Sequence, residues 1–155
     1  MEITKAQKHQ LIEALYLIRE CSRQLLEKGV KYWNSSMSDF NEISSDIDNG
    51  YVYLIYAGRV PVGTITLKPD DSNGQTLTLG RLAIYPAFQK KGLANQLITF
   101  ALDRAKQSGF KMVTGCIPFN DNALVSLLEE KGFQNKGIAP PPEKKFESII
   151  FEKML

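Results

Sequence analysis

Apolar residues fall on two different periods along this chain. From about Lys8, the positions Leu11, Leu15, Ile18, Ser22 and Leu25 recur at steps of three and four, the spacing of one face of an α-helix. Lys28 suits the last helical turn and Gly29 the position just past it. Thr4 with Gln7 offers a capping box, which would start the helix earlier. The opening "MEITKA" reads as a short edge strand. A second helix begins at Ser38, carries Phe40, Ile43 and Ile47 on one face, and ends at Asn49–Gly50. The stretch "VKYWNSSMS" between them is an irregular connection with two large aromatics, Tyr32 and Trp33.

At Tyr51 the period changes to two. "YVYLIYA" is aromatic and β-branched, "GR" makes a tight turn, and "VPVGTITL" returns as a second arm with Pro61 near its start. "KPDDSNGQ" is a polar turn. The next strand, Thr76–Tyr85, breaks simple alternation. Leu77 and Leu79 share one parity, and Leu82 and Ile84 share the other. Burying all four together needs one extra residue between them, and Gly80–Arg81 is the natural place for such a bulge. A strand covered on both faces needs no bulge and remains the alternative.

Leu93, Leu97, Ala101 and Ala105 then step by four, flanked by Ala94, Ile98 and Leu102, which predicts a long amphipathic helix closed by Lys106 and Gly109. "FKMVTGCIP" is a short buried strand. "NDNALVSLLEEKGF" is a helix capped by Asn120 or Asp121 and stopped at Gly132. "APPPEKK" is a stiff loop, and "KFESIIFEKML" alternates as a closing strand. The predicted order is strand, two helices, three strands in an antiparallel meander, then helix, strand, helix, strand. The strand–helix–strand crossover should be parallel, so the sheet is mixed with helices on both faces.

Composition narrows the class. The chain has 155 residues, 43% hydrophobic and 23% charged, with a formal net charge of +2. That fits one soluble globular domain over 1–155 and argues against a nucleic-acid binder. No apolar run approaches a membrane span, and the N-terminus lacks a signal-peptide core. Cys21 and Cys116 lie far apart, which suits a reducing, cytoplasmic setting. A single histidine, His9, without a cysteine pair at ligand spacing, leaves no structural zinc site.

The chemistry concentrates in "RLAIYPAFQKKGLANQLI", Arg81–Ile98. A helix starting near Gly92 presents unpaired N–H groups and the positive end of its dipole, with Lys90 and Lys91 before it. That is an anion site; a merely solvated helix start is the alternative. Neither G-x-x-x-x-G-K-[ST] nor G-x-G-x-x-G is present. The strand, the proline, and Gln89, Gly92 and Ala94 in Q-x-x-G-x-A before a long helix resemble the GCN5-related N-acetyltransferase (GNAT) family. The meander before them, "KMVTGCIP", the asparagine-containing helix start and "EEKGF" extend the resemblance over essentially the whole chain. It is that of a small, bacterial-type, single-domain member.

The resemblance implies an α/β (α+β) three-layer fold with a mixed central sheet of six to seven strands. An antiparallel N-terminal meander, helices on both faces and a bulged, splayed fourth strand belong to it. It implies acetyl-CoA as cosubstrate and no metal. The pyrophosphate would lie on the Gln89, Lys90, Lys91, Gly92, Leu93 and Ala94 loop, and the pantetheine arm would pair as a pseudo-strand with Leu82, Ala83 and Ile84. Asn120 and Asn122 either reach the coenzyme or only cap their helix. The backbone N–H of Ile84 would support the developing oxyanion.

A primary amine, on a small molecule or a peptide, would attack the thioester directly, with no nucleic acid or membrane partner. Where relatives carry a proton-donating tyrosine, this chain has Leu128, which leaves Tyr85 or water as substitute donors. Glu42 and Asp46 are candidate bases, with a solvated helix face as their alternative. Tyr32 and Trp33 are candidates for lining the acceptor site. Cys116 offers an acyl-cysteine route, against an inert buried thiol. A non-catalytic acyl-CoA-binding sensor with the same fold is the second reading. The meander and termini leave room for a homodimer.

Overall fold

The computed structural model describes residues 1–29, 38–118, 121–138 and 148–155. The strands are β1 (Ile3–Lys5), β2 (Val52–Ala57), β3 (Val60–Pro69), β4 (Thr76–Ile84), β5 (Met112–Pro118), β6 (Gln134–Ile138) and β7 (Ser148–Met154). The helices are α1 (Leu11–Glu27), α2 (Phe40–Asp48), α3 (Leu93–Gln107) and α4 (Asn122–Glu130). All seven strands form one sheet in the order β1-β2-β3-β4-β5-β7-β6. β4 and β5 pair in parallel, and every other neighbouring pair is antiparallel.

Alternation along the strands divides the core into two faces. Tyr53, Ile55, Val62, Ile65, Leu77, Ile84, Val113, Ile117, Ile149 and Phe151 pack with the apolar stripes of α3 and α4. Val52, Leu54 and Ala83 pack with Leu11, Leu15, Ile18 and Cys21 of α1 and Ile43 and Ile47 of α2. The side chains at steps of three and four on α1 and α3 are therefore the ones that lose water. Each fully buried leucine or isoleucine contributes about 1.5–3 kcal/mol.

Several boundaries differ from the sequence reading for local reasons. A 3-10 turn over Lys8–Gln10 leads into α1, and Gln7 N–H donates to Gln10 Oε1 at 2.8 Å, so the cap is Gln7 with Gln10 rather than Thr4 with Gln7. Asp39, not Ser38, caps α2, accepting from Glu42 N–H at 2.9 Å. Phe40 lies at the first turn and stays exposed, while Ile43 and Ile47 are buried. The strand β6 was not foreseen. Its sequence, QNKGI, is polar and exposed throughout, and it forms only because β7 offers it an edge. The connection holding Tyr32 and Trp33, together with Asn120 and the triple-proline loop, lies outside the described residues.

The bulge sits where the parity of the leucines demands it. Thr64 pairs with Ala83 and Thr66 with Gly80, so Arg81 and Leu82 together oppose Ile65. Arg81 adopts a left-handed φ of 48° to make the extra step. That conformation costs a non-glycine residue about 1–2 kcal/mol. Its effect is to return Leu82 and Ile84 to the α3 face already used by Leu77 and Leu79. A second irregularity, between Ile55–Gly63 and Tyr56–Pro61, leaves Val62 unpaired in the register and absorbs the missing N–H of Pro61.

Gly63 locks this part of the sheet. It pairs with Ile55 on one side and Ile84 on the other, and a Cβ there would lie 2.8 Å from Ile55 Cγ2 and 2.6 Å from Ile84 Cδ1. We predict that Gly63→Val destabilises the protein by about 1–3 kcal/mol through overpacking. Urea unfolding should show a lower midpoint with an unchanged slope; an unchanged midpoint would mean the two isoleucines yield freely.

Candidate active site

The site begins where two strands part. β4 and β5 pair from Thr76–Met112 to Leu79–Gly115 and then stop. Each keeps its outer partner past that point. β4 stays on β3 as far as Ile84 with Gly63, and β5 stays on β7 as far as Pro118 with Ser148. The two strands are therefore held apart by their neighbours, and a cleft of about 690 Å³ opens between them. This lies within the range of small-molecule sites.

The cleft has apolar walls and polar ends. Leu82, Leu93 and Ile98 form one wall, and Leu124, Leu127 and Phe151 the other. The exposed edge of β4 supplies backbone groups. Tyr85 N–H donates to Val62 C=O at 2.9 Å, so by the alternation of an antiparallel ladder Ile84 turns its own N–H and C=O away from β3, toward the cleft. The carbonyl is occupied, accepting from Gln89 Nε2 at 2.8 Å and from the Cys21 thiol at 3.1 Å.

At the other end, a 3-10 turn over Pro86–Phe88 leads through Gln89, Lys90 and Lys91 to Gly92, whose φ of 82° swings the chain into α3. No side chain caps α3, and a Cβ on Gly92 would meet nothing within 4 Å. The first N–H groups of the helix thus face open space at the positive end of its dipole. Lys28, the residue that ends α1, and Lys90 also line the cleft. Lys91 instead lies over the Phe88 ring, 5.5 Å from its centroid, and is not among the cleft-lining residues.

Gln89 acts inward. Besides Ile84 C=O, its amide donates to Gln24 Oε1 of α1 at 3.0 Å. One side chain thereby ties the loop, the end of β4 and α1 together. Gln24, Cys21, Leu25 and Lys28 all line the cleft, and the sequence reading had missed them as site residues. Their spacing of three and four on α1 was the available signal.

The other candidates divide clearly. Leu82, Ala83, Ile84, Gln89, Lys90, Gly92, Leu93, Ala94, Cys116 and Leu128 line the cleft; Asn122, Glu42 and Tyr85 do not. Asn122 is the first residue of α4 and points to solvent, while Asp121 caps the helix by accepting from Leu124 N–H at 3.1 Å. Glu42 is exposed in the first turn of α2. Asp46 is buried against Arg81 rather than solvated. Tyr85 packs on Tyr16, with ring centroids 6.1 Å apart. Burial, aided by the nearby Tyr16, Cys21, Glu20 and Glu13, pushes the Tyr85 phenol up to about 12.

Leu128, 5% exposed, presents only hydrocarbon. Burial pushes the Cys21 thiol up to about 11; Cys116 is exposed at its surface, and partial desolvation against the cleft raises it too, opposed by a hydrogen bond with Ser148. Neither cysteine is in a disulfide. Among the described residues, no cluster of three or more His, Cys, Asp or Glu is placed to hold a metal, and no helix is long and apolar enough to cross a membrane.

The model of the acetyltransferase (GNAT) family matches residues 12–138. Among solved structures, a putative acetyltransferase from Salmonella typhimurium with its cofactor acetyl-CoA superposes with a TM-score of 0.81 at 20% identity, covering 100% of this chain and 94% of that one. PaiA N-acetyltransferase from Thermoplasma acidophilum, in complex with coenzyme A, gives 0.78 at 17% over 99% and 98%. Ribosomal-protein-alanine N-acetyltransferase from Brucella melitensis gives 0.78 at 15% over the full length of both chains. These identities carry the fold and not the substrate. No curated protein matches significantly.

Two thiols in such different settings give a direct test of the site. At pH 8 a thiol reagent should modify the exposed Cys116 and leave Cys21 intact until denaturant is added, because a buried thiol raised to about 11 holds little thiolate. Equal reaction rates for both would mean that α1 does not seal Cys21 against Ile84.

Proposed function

The chain belongs to the acetyltransferase (GNAT) family and is by that membership an acyltransferase; from this premise we propose that it transfers the acetyl group of acetyl-CoA to a primary amine by direct attack. The observation that carries the reading is the parting of β4 and β5 beyond Leu79–Gly115, with an uncapped helix start at one end of the opening. The residues present fit the coenzyme. The N–H groups after Gly92, with Lys28 and Lys90 beside them, suit a pyrophosphate. The Ile84 N–H and the free strand edges suit a chain of amides, and the leucine walls suit its methylenes.

Acetyl-CoA supplies an activated acyl thioester. The chain's own work is to hold and orient it. The backbone N–H of Ile84 faces the cleft, where it can donate to the thioester oxygen as charge develops. The apolar walls around it lower the local dielectric, which strengthens that hydrogen bond.

The amine must reach the carbonyl neutral, so its proton needs an acceptor. Among the described residues Asp121 is the only carboxylate lining the cleft, and its oxygen is engaged in capping α4. Glu42 and Tyr85 stand outside the lining. We assign the proton to solvent water. The rise of kcat/KM with pH should then track the pKa of the acceptor amine, moving when the acceptor is changed. A fixed midpoint across acceptors would point to a base on the enzyme.

Catalysis and mere binding separate in one assay. Purified protein is incubated with acetyl-CoA and a broad amine panel, and free thiol is recorded. Release that depends on an acceptor is expected. Tight acetyl-CoA binding without release across the panel would instead favour the sensor reading, which the hydrocarbon at Leu128 supports.

The loop has its own test. Gly92→Trp should lower coenzyme A affinity roughly 100-fold, the worth of one or two charge-assisted hydrogen bonds. Far-ultraviolet circular dichroism should stay near wild type, since a side chain there enters open space and the left-handed φ of 82° costs it only about 1–2 kcal/mol. Unaltered affinity would place the phosphate site elsewhere.

A further inference from the structure

Arg81 makes the bulge of β4, and its side chain leaves the strand toward α2. Its guanidinium donates to Asp46 Oδ2 at 2.5 Å. The two side chains keep 10% and 6% of their exposure. Lys68 of β3 stands 3.4 Å from the second oxygen, Oδ1, with its ammonium largely in water. Asp46 shares its helix face with Ile43 and Ile47, both buried against the sheet. A buried ion pair thus joins α2 to the residue whose left-handed backbone phases the rest of β4.

An ion pair is a poor choice at this place if stability is its purpose. Apolar residues of similar volume commonly do as well or better. Nor does the backbone hold residue 81 by itself, because an L side chain disfavours a positive φ. The guanidinium also reaches Thr66 Oγ1 at 3.5 Å, the outer limit of a hydrogen bond. What the pair does fix is direction. Anchored to Asp46, the Arg81 side chain stays on the α2 side, and the next residue turns back toward α3. Were residue 81 to leave the left-handed region, burial of Leu82 and Ile84 would still hold their parity, but the aim of Leu82, Ala83 and the Ile84 N–H along the cleft edge would shift.

We propose that the Arg81–Asp46 pair is a positioning device for the coenzyme cleft. It holds residue 81 in the left-handed conformation and so aims Leu82, Ala83 and the Ile84 N–H along the cleft edge. The inference rests on the reading of this cleft as the acetyl-CoA site. Arg81 itself lines the cleft and Asp46 does not, and neither belongs to the loop at the phosphate end.

The test separates direction from stability. Asp46→Leu with Arg81→Met replaces the pair by apolar side chains of similar reach. This double variant should melt near the wild-type temperature yet bind coenzyme A about tenfold more weakly, the worth of a misdirected hydrogen bond. Asp46→Leu with Arg81→Gly lacks the pair too, but glycine adopts a positive φ freely, so its affinity should return toward wild type.

The amide–Hα coupling at residue 81, read by NMR without ligand, should take the extended value in the first variant and the left-handed value in the second. Wild-type affinity and a left-handed coupling in the Leu/Met variant would overturn the proposal. If the wild-type protein binds no coenzyme A, the cleft reading fails, and the coupling still decides whether the pair sets the backbone.

Discussion

One extra residue in β4 organises the site. Without it, a strand paired on both edges would run straight through the sheet, and its apolar set would split between the two faces. With it, Leu77, Leu79, Leu82 and Ile84 all face α3, although they span the irregularity. The bulge begins at Arg81, two residues beyond the last β4–β5 pair, Leu79 with Gly115. A parallel ladder needs evenly spaced, slanted hydrogen bonds, and a residue at φ 48° cannot continue them. The cleft is thus a consequence of strand geometry, and the strain at Arg81 sits beside the chemistry it serves.

The opposite end of the cleft is fixed by a smaller set of contacts. Ile84 C=O, turned out of the sheet by the same register, is held by Gln89 and Cys21, and Gln89 is held in turn by Gln24. These bonds satisfy a carbonyl that would otherwise be orphaned at the strand end. They also leave the Ile84 N–H as the group that faces the ligand space. The glutamine of Q-x-x-G-x-A therefore shapes the loop from behind and leaves backbone groups to face the cleft. Lys91 can turn away onto Phe88 while the start of α3 keeps its uncapped N–H groups.

Much of this was legible in the residues, for identifiable reasons. The bulge followed from the parity of four leucine and isoleucine positions, and the α3 start from Gly92 ahead of a four-residue apolar step. Two kinds of feature escaped. β6 is wholly exposed and carries no apolar alternation, so only its pairing with β7 defines it. The Arg81–Asp46 pair spans 35 residues of sequence, and neither partner looks buried by type. Asp46 next to Ile47 and three residues after Ile43 was the trace it left, because a charge on the buried face of a helix requires a partner. The steps of three and four that join Cys21, Gln24 and Lys28 were the trace of the α1 end that lies along the cleft.

The hydrocarbon at Leu128 bears on which proton transfer limits such a reaction. A thiol of ordinary acidity, near pKa 8.5, leaves as a thiolate without much help close to neutral pH. An alkylamine, with a pKa near 10.4, is almost wholly protonated there and cannot attack. The larger barrier lies in presenting a neutral amine, and a donor at position 128 would not lower it. General acid assistance is commonly worth about 10²–10⁴-fold, and least where the leaving group is already stable. A chain with leucine there can dispense with the donor at modest cost, provided its acceptors include amines of lower pKa or its cleft disfavours the ammonium. The leucine walls do the latter: desolvation pushes an amine toward its neutral form.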